Sequence, residues 1–285
     1  KKMNKKSSPI TTAVVYLILI LFSAAFLIPF VYMISIALSS DATANQAAYT
    51  IFPKEFEVRN FIRIFTESNV PIWLKNSLIL TVTNTVFTLV SSSMVAYGFA
   101  RFRVKGKSVI FMILLSTMMI PTQVTLIPQF MIFRRFGWIN TMLPLIIPNL
   151  FGSPFYIFML RQFIMRLPIS LDEAAKIDGM SYWGIYYRIV LPLIKPALAA
   201  VAIFAIMGNW NWFFEPMIYL NQTEKYPLAI GVQILSAVGH AGQLPLWNLM
   251  MAAAMILVIP MILLFFLGQK QMFELSISTG SDSIK

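Results

Sequence analysis

Long charge-free apolar runs alternate with short polar intervals along the chain. The runs fall at about 13–38, 76–100, 109–133, 141–160, 196–214 and 246–267. Each is long enough to cross a hydrocarbon core as a helix, which takes ~20 residues. The pattern predicts an all-α membrane protein with six transmembrane helices, flanked by short segments at 1–12 and 269–285. The run from Ala13 to Leu38 exceeds a signal-peptide core of ~7–15 residues and no small-residue cleavage site follows it, so it is expected to stay as the first span. Pro121 and Pro128 each remove a backbone donor from the third run and predict a kink there. The interval 39–71 carries charges of both signs and predicts a short amphipathic helix near Val58–Phe65, lying on the membrane face, with partner binding as the second reading.

One polar interruption, Leu167–Pro196, has helix signals of its own. Ser170 followed by Glu173 reads as a capping box with the helix starting at Leu171, and Asp172 and Glu173 suit the positive end of its dipole. Gly179 is the expected stop, because glycine enters the left-handed conformation that closes a helix. The result is a helix of roughly 12 Å, far too short to span a membrane. It reads as a surface knob. Ala174 and Ala175 let its backbone approach a partner closely, and Asp172 and Lys176 have the spacing to pair. A second short helix is expected from Tyr182, with Pro192 and Pro196 marking the return to the next span.

Composition agrees with the membrane reading: 58% of residues are hydrophobic, 12% are charged and the mean hydropathy is +0.76. With no cysteine and one histidine, His240, the chain has no disulfide framework, thiolate metal site or histidine cluster. The net charge of +11 raises a nucleic-acid reading, but its distribution points elsewhere. With six spans and both termini inside, the cytoplasmic segments hold 15 Lys/Arg and 5 Asp/Glu, and the external segments hold 7 and 6. This is the positive-inside bias that sets orientation, and no basic face with aromatic platforms for nucleic acid is evident. Gly106-Lys107-Ser108 fails as a phosphate loop, since the required glycine five positions earlier is Arg101.

The pattern Glu173-Ala174-Ala175, three residues, Gly179, nine residues, Ile189, one residue, Leu191-Pro192 resembles the EAA loop of the membrane subunits of binding-protein-dependent ABC importers. Asn76-Ser77-Leu78, the Ala96–Arg101 segment, Met119-Ile120-Pro121, Gly137–Thr141, Trp210-Asn211 with Phe213 and Pro216, and the tail from Gln269 to Gly280 resemble carbohydrate permeases of that family, in its maltose-type, MalG-like branch. The resemblance implies a type I importer permease fold in a bacterial inner membrane. It also implies that Glu173, Ala174, Ala175, Asp178, Gly179, Ile189, Leu191 and Pro192 form the loop that couples to an ATPase. The expected partners are a homologous second permease subunit forming a heterodimer, two cytoplasmic ATPase subunits that bind ATP and Mg, an extracytoplasmic solute-binding protein, a sugar or oligosaccharide, and lipid. The chain itself is expected to bind no cofactor or metal and to be non-catalytic.

Other polar positions admit two readings. Gln123, Thr125, Gln129, Asn209 and Asn211 suit a translocation path, or hydrogen bonds between neighbouring helices. Trp210 and Trp212 suit an interfacial aromatic belt, and the pattern of the family often has an acidic residue where this chain has Trp212. The Gly-rich external segment from Tyr219 to Pro245, with Gly239, His240 and Gly242, resembles a receptor contact and reads equally as a surface connection. The six runs contain no ionisable residue away from their ends, which disfavours proton- or ion-coupled transport. An ATP-independent carrier or channel for small polar solutes is the alternative to an ATP-driven permease. An intramembrane enzyme has no paired carboxylates or Ser/His pair to work with.

Overall fold

The computed structural model is all-helical and describes residues 9–45, 55–237 and 245–280. The expected receptor-contact residues Gly239, His240 and Gly242 lie outside the described residues. In chain order the α-helices are α1 (Pro9–Ala37), α2 (Asp41–Ala44), α3 (Asn60–Thr66), α4 (Val70–Arg101), α5 (Lys107–Ser116), α6 (Thr122–Arg135), α7 (Leu143–Ile146) and α8 (Pro154–Arg166). They continue as α9 (Ile169–Ile177), α10 (Tyr182–Ile185), α11 (Leu191–Leu193), α12 (Lys195–Trp210), α13 (Phe214–Tyr219), α14 (Leu228–Ala237) and α15 (Trp247–Gly280). A π-helical turn at Tyr186–Val190 joins α10 to α11.

Among the described residues, four segments are long and apolar enough to cross a membrane: Pro9–Ala37, Val70–Arg101, Leu143–Arg166 and Trp247–Gln269. Two bent pairs raise the number to six, Lys107–Met119 with Thr122–Arg135 at 97° and Tyr182–Leu193 with Lys195–Trp210 at 77°. The third apolar run is therefore not one kinked helix but two short ones meeting near a right angle. Pro121 sits at the break in an extended conformation, ψ 134°, whereas Pro128 is accommodated inside α6. The fourth run continues to Arg166, beyond the expected end at Leu160, and is interrupted at Gly152–Ser153, where the Ser153 amide donates to Ser92 Oγ at 3.1 Å. The fifth ends at Trp210, short of Phe214, and the last helix runs on into the expected tail as far as Gly280.

The chain divides into two compact units. One comprises the described residues within 1–68 and 232–256, and a polar knot organises it. Asn60 Nδ2 donates to the carbonyls of Ala37 at 2.9 Å and Ser39 at 2.8 Å. Asn248 Nδ2 donates to Asp41 Oδ1 at 2.7 Å and Ser39 O at 3.1 Å. Arg63 grips Asp41 bidentately, Nη1 to Oδ1 at 2.8 Å and Nη2 to Oδ2 at 3.2 Å, and its Nε reaches Glu67 at 3.0 Å. The Arg63 hydrogen bond is the main cause that lowers the Asp41 carboxyl below its ordinary 3.8, and the same contact raises Arg63.

The other unit, the described residues within 69–231 and 257–285, is built around α4. Pro71 in its first turn needs no helical donor, and 32 residues follow without a break. Its buried face is polar where an apolar stripe would be usual, with Ser77, Thr81, Asn84, Thr85, Thr88 and Ser92 recurring every three or four residues. Small hydroxyl residues of this kind let neighbouring membrane helices approach closely, and α8 and α12 pack against this helix. At one end, Ala96, Tyr97, Ile157, Ile164, Ala175 and Tyr186 share a core; at the other, Leu80, Leu145, Tyr219 and Leu220 share a second. The segment 219–245 is not a plain loop, because α14 forms within it. Gly231 on α14 sits so close to Trp73 that a Cβ would lie 2.1 Å from the indole, and the Trp73 Nε1 donates to Thr223 O at 2.8 Å.

Candidate functional site: a helical prong anchored to the end of α4

The interruption at 167–196 folds as a nine-residue helix, α9, followed by a tight turn into α10. The capping box is absent. The helix begins two residues before the expected start, at Ile169, with Pro168 at its N-cap and no side-chain cap. Leu167 is held extended by the following proline, so the chain is already set to enter a helix directly after Pro168. Ser170 therefore falls inside the first turn, where it cannot cap. The far end closes at Gly179, φ 76°. The Met180 amide donates to Ala175 O at 2.9 Å and the Gly179 amide to Lys176 O at 3.0 Å, the paired bonds of a Schellman cap. Ser181 then caps α10 by accepting from the Gly184 amide at 3.2 Å.

The prong presents two different sides. Ala175 is buried in the core shared with Ile164 and Ile185, so of the two alanines only Ala174 is exposed. Glu173, Ala174, Ile177, Asp178 and Gly179 form the exposed side, with Ile177 87% exposed. Asp178 is the helix C-cap residue. Ile189 and Leu191 are half-buried in the following helical turns, and Pro192 is exposed in the first turn of α11.

Asp172 does not pair with Lys176. Its Oδ2 lies 3.1 Å from Nε of Arg101, the last residue of α4, with the two side chains 5% and 6% exposed. The approach is out of line for a hydrogen bond, and Asp172 Oδ1 has no partner among the described residues. Arg101 Nη2 donates to Leu167 O at 3.0 Å, so one guanidinium holds both the start of the prong and its second turn. Lys176 lies over the Tyr182 ring at 4.7 Å. Phe102 meets Tyr182 edge-on at 5.1 Å, and Tyr97 Oη donates to Tyr182 O at 3.3 Å. A cleft of about 570 Å³ opens beside the pair, lined by Arg103, Val104, Ile169, Glu173 and Lys176. Burying two charges is costly, and losing one partner strands the other, at ~3–5 kcal/mol. The pairing links residues far apart in sequence, where Arg101 shows only as the end of the Ala96–Arg101 segment.

The five candidate path residues are not brought together as one group. Gln123 is exposed and Thr125 donates to Thr122 O at 3.0 Å. Gln129 accepts from Tyr219 Oη at 3.4 Å. Asn211 is exposed, its Nδ2 donating to Met207 O at 3.0 Å. Asn209 belongs to a different arrangement, in which Asn84 Nδ2 donates to Asn209 Oδ1 and to Leu145 O, each at 3.0 Å. Asn84 is fully buried and joins three segments, and its place in the polar row of α4 is the sequence signal for it. Trp210 departs from the aromatic-belt reading: it is 4% exposed and donates to Leu257 O at 2.9 Å. Trp212 donates to Glu215.

The arabinooligosaccharides transport system permease protein AraQ of Halalkalibacterium halodurans is 30% identical over 272 residues, 94% of this chain and 95% of that protein. The AraQ protein of Bacillus subtilis is 33% identical over 222 residues, 77% of each chain. The fold matches a chain in the crystal structure of a bacterial ABC transporter involved in the import of the acidic polysaccharide alginate, with a TM-score of 0.82 and 24% identity over 95% of this chain and 99% of that one. It is the multi-spanning fold of a type I importer permease. Residues 88–272, from the middle of α4 through the prong and into α15, match the family model for binding-protein-dependent transport system inner membrane components, and the chain belongs to that family.

Proposed function

We propose that this chain is the permease subunit of an oligosaccharide ABC importer of the maltose-type branch, and that the α9 prong is where ATPase motion enters it. The observation that carries the reading is the prong itself: a short capped helix, one side open around Glu173, Ala174 and Gly179, the other fastened to α4 through Arg101. Both termini and the prong face the cytoplasm, in keeping with the charge bias. Two ATPase subunits hold ATP and Mg; a second, homologous permease subunit completes the path; and an external binding protein delivers the sugar. ATP-driven closure moves the prong, and the spans switch between two packings that differ in which side is open. Asn84 and Asn209 hold α4, α7 and α12 together within that bundle.

The test uses the complex purified from its host through a tag on this chain and reconstituted in liposomes with its binding protein. ATP-dependent accumulation of labelled arabinotriose is the expected result, with an alginate trisaccharide as the acidic competitor. Glu173→Lys is expected to abolish accumulation while the binding protein still docks. Uphill accumulation without a nucleotide hydrolase, or normal uptake by the Glu173→Lys complex, contradicts the reading. The absence of native cysteines permits a topology check, in which R103C labels from inside and K225C from outside.

A further inference from the structure

The prong is joined by the chain to α8 through Leu167 and Pro168 and to α12 through residues 180–194. It has no covalent link to α4, the helix around which its unit is built. We infer that Arg101 is a strut that delivers prong displacement directly to α4, a positioning role that rests on the function proposed above. The surrounding geometry supports it. Arg101 is the final residue of an unbroken 32-residue helix, so a push at that point acts along the whole of α4. Its guanidinium contacts both sides of the α9 start, Leu167 O at 3.0 Å and Asp172 Oδ2 at 3.1 Å. Held by a hydrogen bond from Nη2 and an ion contact at Nε, the planar guanidinium resists the relative rotation that a single flexible ammonium would allow. Both charged side chains are shielded from water, so separating them strands a buried charge, and moving α4 with the prong avoids that cost. Tyr97 and Phe102, on either side of Arg101, close on Tyr182 and prevent the prong from pivoting around the ion pair.

A purely structural ion pair would affect yield and thermal stability; a strut also sets how much transport each hydrolysis event produces. The readout is the ratio of arabinotriose accumulated to ATP hydrolysed, in proteoliposomes holding the full complex. R101M and D172L are each expected to lower that ratio at least tenfold. R101K, which keeps the charge and a donor for Leu167 O without the planar fork, is expected to recover only part of it. R101M/D172L replaces the pair with apolar side chains of similar volume, a change that buried ion pairs often tolerate without loss of stability. It is expected to assemble normally and remain uncoupled. A wild-type ratio in R101M/D172L, or an R101K complex no better coupled than R101M, overturns the strut. Glu173→Lys separates the two claims: if it uncouples transport while R101M and D172L do not, the strut alone fails, and if it does not, the proposed function fails with it.

Discussion

Replacing Gly179 isolates one backbone conformation at the prong. The residue has φ 76°, and a Cβ added there would meet nothing within 4 Å. Substitution therefore introduces no clash, and its cost is the left-handed conformation itself, ~1–2 kcal/mol for an ordinary L-residue. That amounts to a factor of about 5–30 in the closure of the last turn of α9. Two amides report it, Gly179 to Lys176 O and Met180 to Ala175 O. Hydrogen exchange in the peptide covering 176–182 should accelerate by about that factor in Gly179→Ala. Gly179→Asn should fall between glycine and alanine, because asparagine visits the left-handed region more readily. Gly179→Val should exceed alanine, since a β-branched side chain tolerates it least. ATP-coupled uptake should follow the same order. Equal exchange in the glycine, asparagine and alanine proteins would refute the argument, as would valine behaving like asparagine.

Gly231→Ala should lower thermal stability by several degrees, because the new methyl would lie 2.1 Å from the Trp73 ring; adding Trp73→Leu should cost less in that background than in the wild type. The Asp41 carboxyl is lowered below 3.8 in the fold by Arg63, so its stabilising contribution is present above about pH 4 and is lost as pH falls through the lowered value. Asp41→Asn should therefore flatten the pH dependence of melting in that acid range. Asn84→Leu and Asn209→Leu should each destabilise the bundle by ~0.5–2 kcal/mol. Their effects should combine to less than their sum, since Asn84 Nδ2 and Asn209 Oδ1 share one hydrogen bond.

Apolar run length made the membrane class and most helices readable, because a bilayer imposes a minimum length that few other constraints match. The stop at Gly179 was readable because a left-handed cap leaves a glycine behind. The start of the same helix was not, since Pro168 dictates the chain direction before the Ser170 and Glu173 pattern can act. Local spacing also misassigned Asp172: the four-residue rule favours Lys176, while burial against α4 brings Arg101. The row from Ser77 to Ser92 was visible as a period but was outweighed by overall hydrophobicity, so Asn84 went unrecognised. Gly231 suggested a loop, whereas its lack of a side chain serves helix packing against Trp73.

The right-angled junction at Pro121 has a consequence for assembly. Helices α5 and α6 have 10 and 14 residues, roughly 15 and 21 Å long, and each alone falls short of a ~30 Å hydrocarbon layer. At their corner Thr122 and Gln123 are exposed, which lipid tails solvate poorly. A solitary copy thus carries a polar notch that only another polypeptide or a local inflow of water can fill.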